Sequence, residues 1–391
     1  MDRNVSEKVP VTIFAGYLGA GKTTVLNHIL RNKGSAGLAL IVNDVGSVNI
    51  DADLIKNTKM LDDNTQMVEM QNGCICCTLQ DKFLNQISRL SKNKSVKRIL
   101  VEASGVSDPM ELADSFSAMQ EQEGSQFYLD RMVTVVDADR IYEEFLGSMK
   151  QTAEEEENTE ETTDDTDPDI INLVMDQIEF CNVILLNKCD LLTADQIAEV
   201  KDAIRGIQTE AEIIECVKGE VDPDRIFSGE PFDFEKVMNS SAYQQAIARE
   251  ESGEEEEEGG TTEEGDELDE VGVSSFVFTE KRPFNFDRFM DFVQTDFPRE
   301  IIRTKGYIWF SNDDMHVQLF EQAGRNSSLT EYSNWIASFP KKEQNSIFSQ
   351  YPDVKEKWDP KYGDRLNQIV FIGKGYNKKD ILAKLESCLD D

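Results

Sequence analysis

Eight residues, Gly16-Tyr17-Leu18-Gly19-Ala20-Gly21-Lys22-Thr23, constrain the fold of this chain more than any other stretch. An apolar run, Val11–Ala15, leads into them, and a helix-compatible stretch, Thr24–Arg31, follows. The spacing fits G-x-x-x-x-G-K-[ST] in full, and it sits in the strand–turn–helix context that the pattern requires. Glycines let backbone N–H groups turn inward around a phosphate, and the helix N-terminus adds partial positive charge. Gly16, Gly19, Ala20, Gly21 and Thr24 are therefore expected to cradle phosphates. Lys22 is expected to reach the β and γ phosphates, and the Thr23 hydroxyl to hold Mg²⁺.

Further short apolar runs recur at Leu38–Val42, Ile99–Glu102, Met132–Val136, Val183–Leu186 and Ile213–Val217. They are continuous rather than alternating, as strands buried on both faces are. Helical patterns lie between them. Ile197, Val200, Ile204 and Ile207 fall on one face of 193–207, with Thr193 and Gln196 placed as a capping box, and Phe83, Ile87 and Leu90 stripe 79–92. Strand–helix alternation predicts a doubly wound, mostly parallel α/β sheet with its ligand site at the strand C-termini.

Two more elements fall at such ends. Val183–Leu186 runs into Asn187-Lys188-Cys189-Asp190, the N-K-x-D pattern of GTPases. A carboxylate at Asp190 accepts from guanine's ring N–H and exocyclic amine, a pair that adenine does not offer, and a mismatch leaves it unpaired. Asn187 is expected at the purine edge, with the Lys188 stem packed on the ring. Ile99–Val101 ends in Glu102-Ala103-Ser104-Gly105, a carboxylate that holds Mg²⁺ or orients the attacking water, with a glycine N–H near the γ phosphate. Asp44 and Asp51, after the second strand, are further candidates near these phosphates.

Gly73-Cys74-Ile75-Cys76-Cys77 places three thiols in four positions. Thiolates are strong ligands for Zn²⁺ and similar metals. Adjacent cysteines make a strained disulfide, and there is no second C-x-x-C or His pair to close a zinc finger. The segment reads as an open metal site, Cys74, Cys76 and Cys77, with Asp44 or Glu69 as a possible further ligand. Buried structural cysteines and a redox thiol are the alternatives. Cysteines 181, 189, 216 and 388 are isolated and read as core or surface residues, and His28 and His316 as packing residues.

The net charge of −36 weighs against a nucleic-acid binder and against docking on anionic membranes. It is concentrated: residues 151–169 hold ten acidic residues and 250–270 hold thirteen, with no basic residue in either. Both segments lack the aliphatic content to offset their ordering entropy and read as a solvated insertion and a linker. There is no apolar signal core at the N-terminus and no run of about 18 apolar residues. With its cysteine pattern, the chain reads as a reduced, cytoplasmic protein.

The order of phosphate loop, CxCC, E-x-x-G and NKxD resembles the CobW family (CobW/HypB/UreG-like) of P-loop GTPase metallochaperones, most nearly its bacterial branch linked to zinc limitation. The stretches that carry the likeness are Gly16–Thr24, Asn72–Leu79, Glu102–Pro109, Val136-Asp137-Ala138 and Asn187–Leu191. Beyond the second acidic run, Arg282-Pro283-Phe284, Arg303–Trp309 and Trp358–Gly373 look like the family's C-terminal domain. The resemblance implies a GTP-hydrolysing protein, using GTP/GDP, Mg²⁺ and Zn²⁺, that delivers zinc or a similar divalent metal to client apo-metalloproteins. A zinc-sensing GTP switch without transfer and a redox-controlled GTPase are the competing readings. Two departures stand out. Glu254–Glu270 contains no histidine where many relatives carry a His-rich tract, and Asn43-Asp44-Val45-Gly46-Ser47 replaces the common N-E-F-G-E.

The expected organisation is a P-loop GTPase domain over 1–220 with the acidic insertion 151–169, a linker over 221–270, and a smaller C-terminal α+β domain over 271–391. In that last domain strands are expected near 273–279, 306–310, 315–320 and 366–372, and helices near 286–296, 341–350 and 378–389. Its aromatics read as core.

Overall fold

The computed structural model of the protein describes residues 8–33, 37–43, 66–70, 80–120, 122, 124–147, 168–252, 273–324 and 326–390. It divides into two compact units, Met1–Glu144 with Leu173–Ser241, and Phe145–Asn172 with Ala242–Asp391. The acidic runs 151–167 and 253–270 lie outside the described residues.

In the first unit the expected apolar runs are strands: β1 (Val9–Ala15), β2 (Leu38–Asn43), β4 (Arg98–Glu102), β5 (Phe127–Asp137), β6 (Val183–Asn187) and β7 (Glu212–Glu215). A further strand, β3 (Gln66–Met70), was not legible as an apolar run. The strands form one sheet in the order β3-β2-β4-β1-β5-β6-β7, and every pair is parallel. Strand β7 stops at Glu215, two residues short of the expected Val217, because the chain then turns through Lys218 and Gly219, both at positive φ.

Parallel strands need crossovers, and helices supply them. They are α1 (Lys22–Lys33), α2 (Gln80–Ser91), α3 (Pro109–Gln120), α4 (Pro168–Glu179) and α5 (Ala194–Arg205). Val25, Leu26 and Ile29 of α1 pack with Phe14, Leu40, Leu100, Val133 and Leu185 of the sheet. Each such fully buried aliphatic or aromatic side chain contributes about 1.5–3 kcal/mol. The capping box of α5 has both of its bonds, Gln196 N to Thr193 Oγ1 at 3.3 Å and Thr193 N to Gln196 Oε1 at 2.8 Å.

The stretch 221–252 differs from the expected linker. It carries three helices, α6 (Pro223–Phe227), α7 (Phe234–Ser240) and α8 (Ala242–Ser252). Asp222 and Asp233 cap the first two. Buried Arg131 on β5 holds the chain between them: its Nε donates to Ile226 O at 3.1 Å, and its Nη atoms donate to the carbonyls of Ser228 and Glu230. A guanidinium buried with its donors on backbone oxygens fixes a loop rather than leaving it free.

In the second unit β8 (Ser274–Glu280), β9 (Ile301–Ile308), β10 (His316–Ala323), β11 (Asn326–Asn334) and β12 (Asn367–Gly373) form an antiparallel sheet in the order β11-β10-β9-β12-β8. With α9 (Phe286–Asp291), α10 (Lys341–Gln350) and α11 (Lys378–Ser387) this is the expected α+β class. Phe276, Phe284, Phe289, Phe320 and Phe371 pack with Ile381 and Leu385 of α11. Phe276 and Phe371 stack 4.9 Å apart. Most of the aromatics are core, as expected, but Phe286, Tyr332 and Tyr351 are exposed, Phe286 in a T-shaped contact with Phe310. Ala242 and Ala246 of α8 pack against Val370 and Ile372 of β12.

Candidate functional site

All strands of the first sheet end on one edge, and the nucleotide-site residues selected from sequence that are among the described residues gather there. Ala15 ends β1 and opens the phosphate loop. Gly16, Gly19 and Gly21 have φ of 130°, 80° and 107°, a region that side-chain-bearing residues avoid. Space is as restrictive as conformation. A Cβ at Gly16 would stand 2.2 Å from Val135 O, and one at Gly21 would stand 2.4 Å from Asn187 Nδ2. Lys22 is buried and its Nζ donates to Gly16 O at 2.6 Å and Tyr17 O at 3.3 Å, folding back across the loop. Ala20 is buried, and Thr24 is exposed on the first turn of α1.

Register places the carboxylate. Phe14 on β1 pairs with Glu102 on β4, so Glu102 stands beside the entrance to the loop. Buried there, its Oε1 accepts from Thr23 Oγ1 at 2.6 Å. Two hard oxygen donors in contact at the start of α1 are the donor set that Mg²⁺ prefers, together with water and phosphate oxygens. The residues present thus fit that ion. Past Glu102, the backbone at Gly105 approaches the phosphate loop: a Cβ there would lie 2.9 Å from Leu18 N.

The NKxD residues hold the other end. Asn187 is buried, and its Nδ2 donates to Ala20 O at 2.8 Å while its Oδ1 accepts from Gly219 N at 3.0 Å. One side chain therefore ties the phosphate loop to β6 and to the turn after β7. Lys188 takes a left-handed φ of 64°, and its Nζ pairs with Asp137 Oδ2 at 2.5 Å. That pairing follows from the sheet, since Asp137 is the register partner of Asn187. Asp190 is exposed in the short 3-10 turn Cys189–Leu191.

Three contributors were not singled out from sequence. Gly219 backs Asn187, and a Cβ on it would stand 2.9 Å from Val25 N. Its signal is the Lys218-Gly219 pair immediately after an apolar strand. Asp137 was noticed only as part of a matching stretch. Arg140, three residues on, lays its guanidinium over the ring of Tyr17, 4.7 Å from the centroid.

Cys74, Cys76, Cys77, Asp44 and Asp51 lie outside the described residues, as does the side chain of Glu69. The backbone of β3 is described, and its last residue, Met70, stands four positions before Cys74 at the C-terminal edge of the sheet. Among the described residues no group of three His, Cys, Asp or Glu side chains is placed to hold a metal ion. Cys181, Cys189, Cys216 and Cys388 are buried free thiols. Burial pushes the thiols of Cys181 and Cys216 up to about 12. His28 bonds Asn32, and His316 bonds Asp313, whose hydrogen bond raises the imidazole's pKa. Among the described residues no helix is long and apolar enough to cross a membrane.

Residues 10–215 match the family described as CobW/HypB/UreG, nucleotide-binding domain, and residues 273–389 match the cobalamin synthesis protein CobW C-terminal domain. This chain belongs to the CobW/HypB/UreG family. Among its CobW relatives, the zinc-regulated GTPase metalloprotein activator 1 of Dictyostelium discoideum is 33% identical over 98% of this chain and 80% of its own length. The zinc chaperone CobW of Pseudomonas aeruginosa is 31% identical over 55% of this chain and 58% of its own. The solved Zn(II)-bound YjiA GTPase of Escherichia coli aligns over 98% of this CobW chain and 99% of its own at 18% identity, with a TM-score of 0.36.

Proposed function

We propose that this chain is a GTP-hydrolysing metallochaperone that carries zinc on Cys74, Cys76 and Cys77 and passes it to a client apo-metalloprotein. The observation that carries the nucleotide half is Asn187, whose single side chain joins the phosphate loop, the base-reading strand and the turn after β7. That tie keeps the phosphate and base readers at a fixed separation, and the Asp190 carboxylate supplies the preference for guanine. The cargo half is supported by the thiol-rich segment four residues past β3 and by relatives named for zinc.

This chain is a GTPase. Gly16, Gly19, Ala20 and Gly21 present backbone N–H groups to the phosphates, and Thr24 stands exposed at the mouth of the loop. Lys22 exchanges its bonds to Gly16 O and Tyr17 O for phosphate oxygens. Thr23 and Glu102 would hold Mg²⁺, which would supply positive charge against the charge developing on the phosphates. Glu102 orients the attacking water, and the Gly105 N–H faces the γ phosphate. Asp190 accepts from the guanine edge while the Lys188 stem, held by Asp137, covers the ring. Loss of the γ phosphate releases the loop after β4, and the cysteine segment precedes that strand in sequence.

The test is zinc release to a fluorescent chelating dye from zinc-loaded protein, with GTP and with a non-hydrolysable analogue. Faster release with GTP is expected, and loss of tight zinc binding in Cys76→Ser/Cys77→Ser. Tight zinc binding that survives the double substitution refutes the assignment of the cargo site.

A further inference from the structure

Gln177, on α4, is fully buried. Its Nε2 donates to two backbone carbonyls of the loop after β4, Gly105 O at 3.2 Å and Ser107 O at 3.3 Å. Two carbonyl acceptors fix the amide's orientation, since the reverse would set oxygen against oxygen. Position 177 is itself held from β5, where Thr134 Oγ1 donates to Gln177 O at 2.5 Å. The donor end is thus satisfied and the backbone anchored.

The acceptor end differs. Gln177 Oε1 is buried with no hydrogen-bond partner among the described residues, and so is Ser107 Oγ on the loop that the amide holds. A buried polar atom left unpaired carries the full desolvation penalty, so each one calls for a structural or catalytic reason. Here the loop begins at Glu102, beside Thr23, and its Gly105 packs against the phosphate loop at Leu18. Buried polar atoms spare on both sides of one contact give amide and loop a second bonding pattern to exchange into.

We propose that Gln177 is a positioning residue for GTP hydrolysis. It holds the Glu102–Pro109 loop by its carbonyls so that the Gly105 N–H meets the γ phosphate, and its spare acceptor takes over when that loop withdraws. The assignment rests on the reading of Glu102-x-x-Gly105 as the element that senses the γ phosphate. Gln177 touches neither nucleotide nor metal and acts only through the backbone it holds.

Gln177→Met keeps the volume and removes both donor and acceptor. The expected result is a fall in kcat of roughly ten- to a hundredfold, the scale of a small misplacement of a reacting group. Affinity for a non-hydrolysable GTP analogue falls about tenfold while GDP affinity stays within about twofold. A purely structural role instead weakens both nucleotides together, and that result, or an unchanged kcat, overturns the proposal. Glu102→Gln is measured in parallel: if it still hydrolyses GTP normally, the underlying reading of the loop is wrong, whereas its inactivity beside an active Gln177→Met sinks this inference alone. Should Gln177→Met not fold, hydrogen exchange on the wild-type protein decides. Exchange in 104–109 and at the end of α4 must change together between GDP and the analogue, and no change in either refutes the coupling.

Discussion

Asn187 satisfies both ends of its amide across two loops, so a neighbour that displaces it disturbs the phosphate loop and the turn after β7 at once. Gly21 is that neighbour. Its φ of 107° and the 2.4 Å separation between a Cβ placed there and Asn187 Nδ2 leave no room for alanine. Gly21→Ala is expected to weaken GDP and GTP binding by about tenfold or more, since a strained backbone position costs of order 1–3 kcal/mol. Titration with a fluorescent guanine nucleotide checks this, and wild-type affinity contradicts the role given to the contact. The buried cysteines allow a second forecast. With thiols at about 12, Cys181 and Cys216 are thiolate at only about 10⁻⁵ to 10⁻⁴ at pH 7.5, and the thiolate is the nucleophile. Burial also raises Cys189 and Cys388. Native alkylation with iodoacetamide, read by mass spectrometry, should therefore spare all four. Rapid labelling of Cys216 in the folded protein would show that the turn behind Asn187 opens readily. Asn187 itself was readable from the tetrapeptide it opens. Its second partner was harder to read: the Lys218-Gly219 pair signals a turn after β7, but no local pattern says that this turn folds back onto Asn187.

The N-cap of helix α5, Thr193, stands two residues past the Cys189–Leu191 turn, so its capping box also finishes that loop. Thr193→Ala removes an N-cap oxygen and is expected to cost about 1 kcal/mol of stability in denaturant unfolding. Guanine-nucleotide affinity should change less than threefold, because Asp190 belongs to the turn and not to the cap. A large affinity loss at unchanged stability would mean the cap positions Asp190. This box was legible because T-x-x-Q before an apolar stripe is a local signal, and the buried strands were legible for the same reason: β1, β2, β4 and β6 are continuous apolar runs. The strands that escaped notice lie at sheet edges. Strand β3 reads Gln-Met-Val-Glu-Met, and β11 is largely polar, because an edge strand can turn side chains to water. Helices α6 and α7 escaped because they are short, five and seven residues. Yet Asp222-Pro223 and Asp233 are start signals that composition obscured, and what holds them is Arg131, some 95 residues away in sequence.

At the scale of the whole molecule the question is whether one chain makes nucleotide state and metal cargo a single variable. Glu102, Asn43 and Met70 end three neighbouring parallel strands at one edge of the sheet, and Met70 precedes Cys74 by four positions in sequence. Coupling of that kind is reciprocal: if a GTP analogue changes zinc affinity by some factor, zinc must change analogue affinity by the same factor. A competitive zinc titration with GDP and with a non-hydrolysable GTP analogue is expected to differ by about tenfold, or about 1.4 kcal/mol. The acidic runs, 23 of the 36 net negative charges, offer only carboxylate oxygens, which hold zinc poorly. Their weak binding should vanish at moderate salt and leave the tight site unchanged. Equal zinc affinities in the two nucleotide states would uncouple cargo from hydrolysis in the isolated chain and shift the gating step to the client. No tight zinc at all would leave the three thiols to redox chemistry, with chelators without effect on GTP turnover and peroxide altering it.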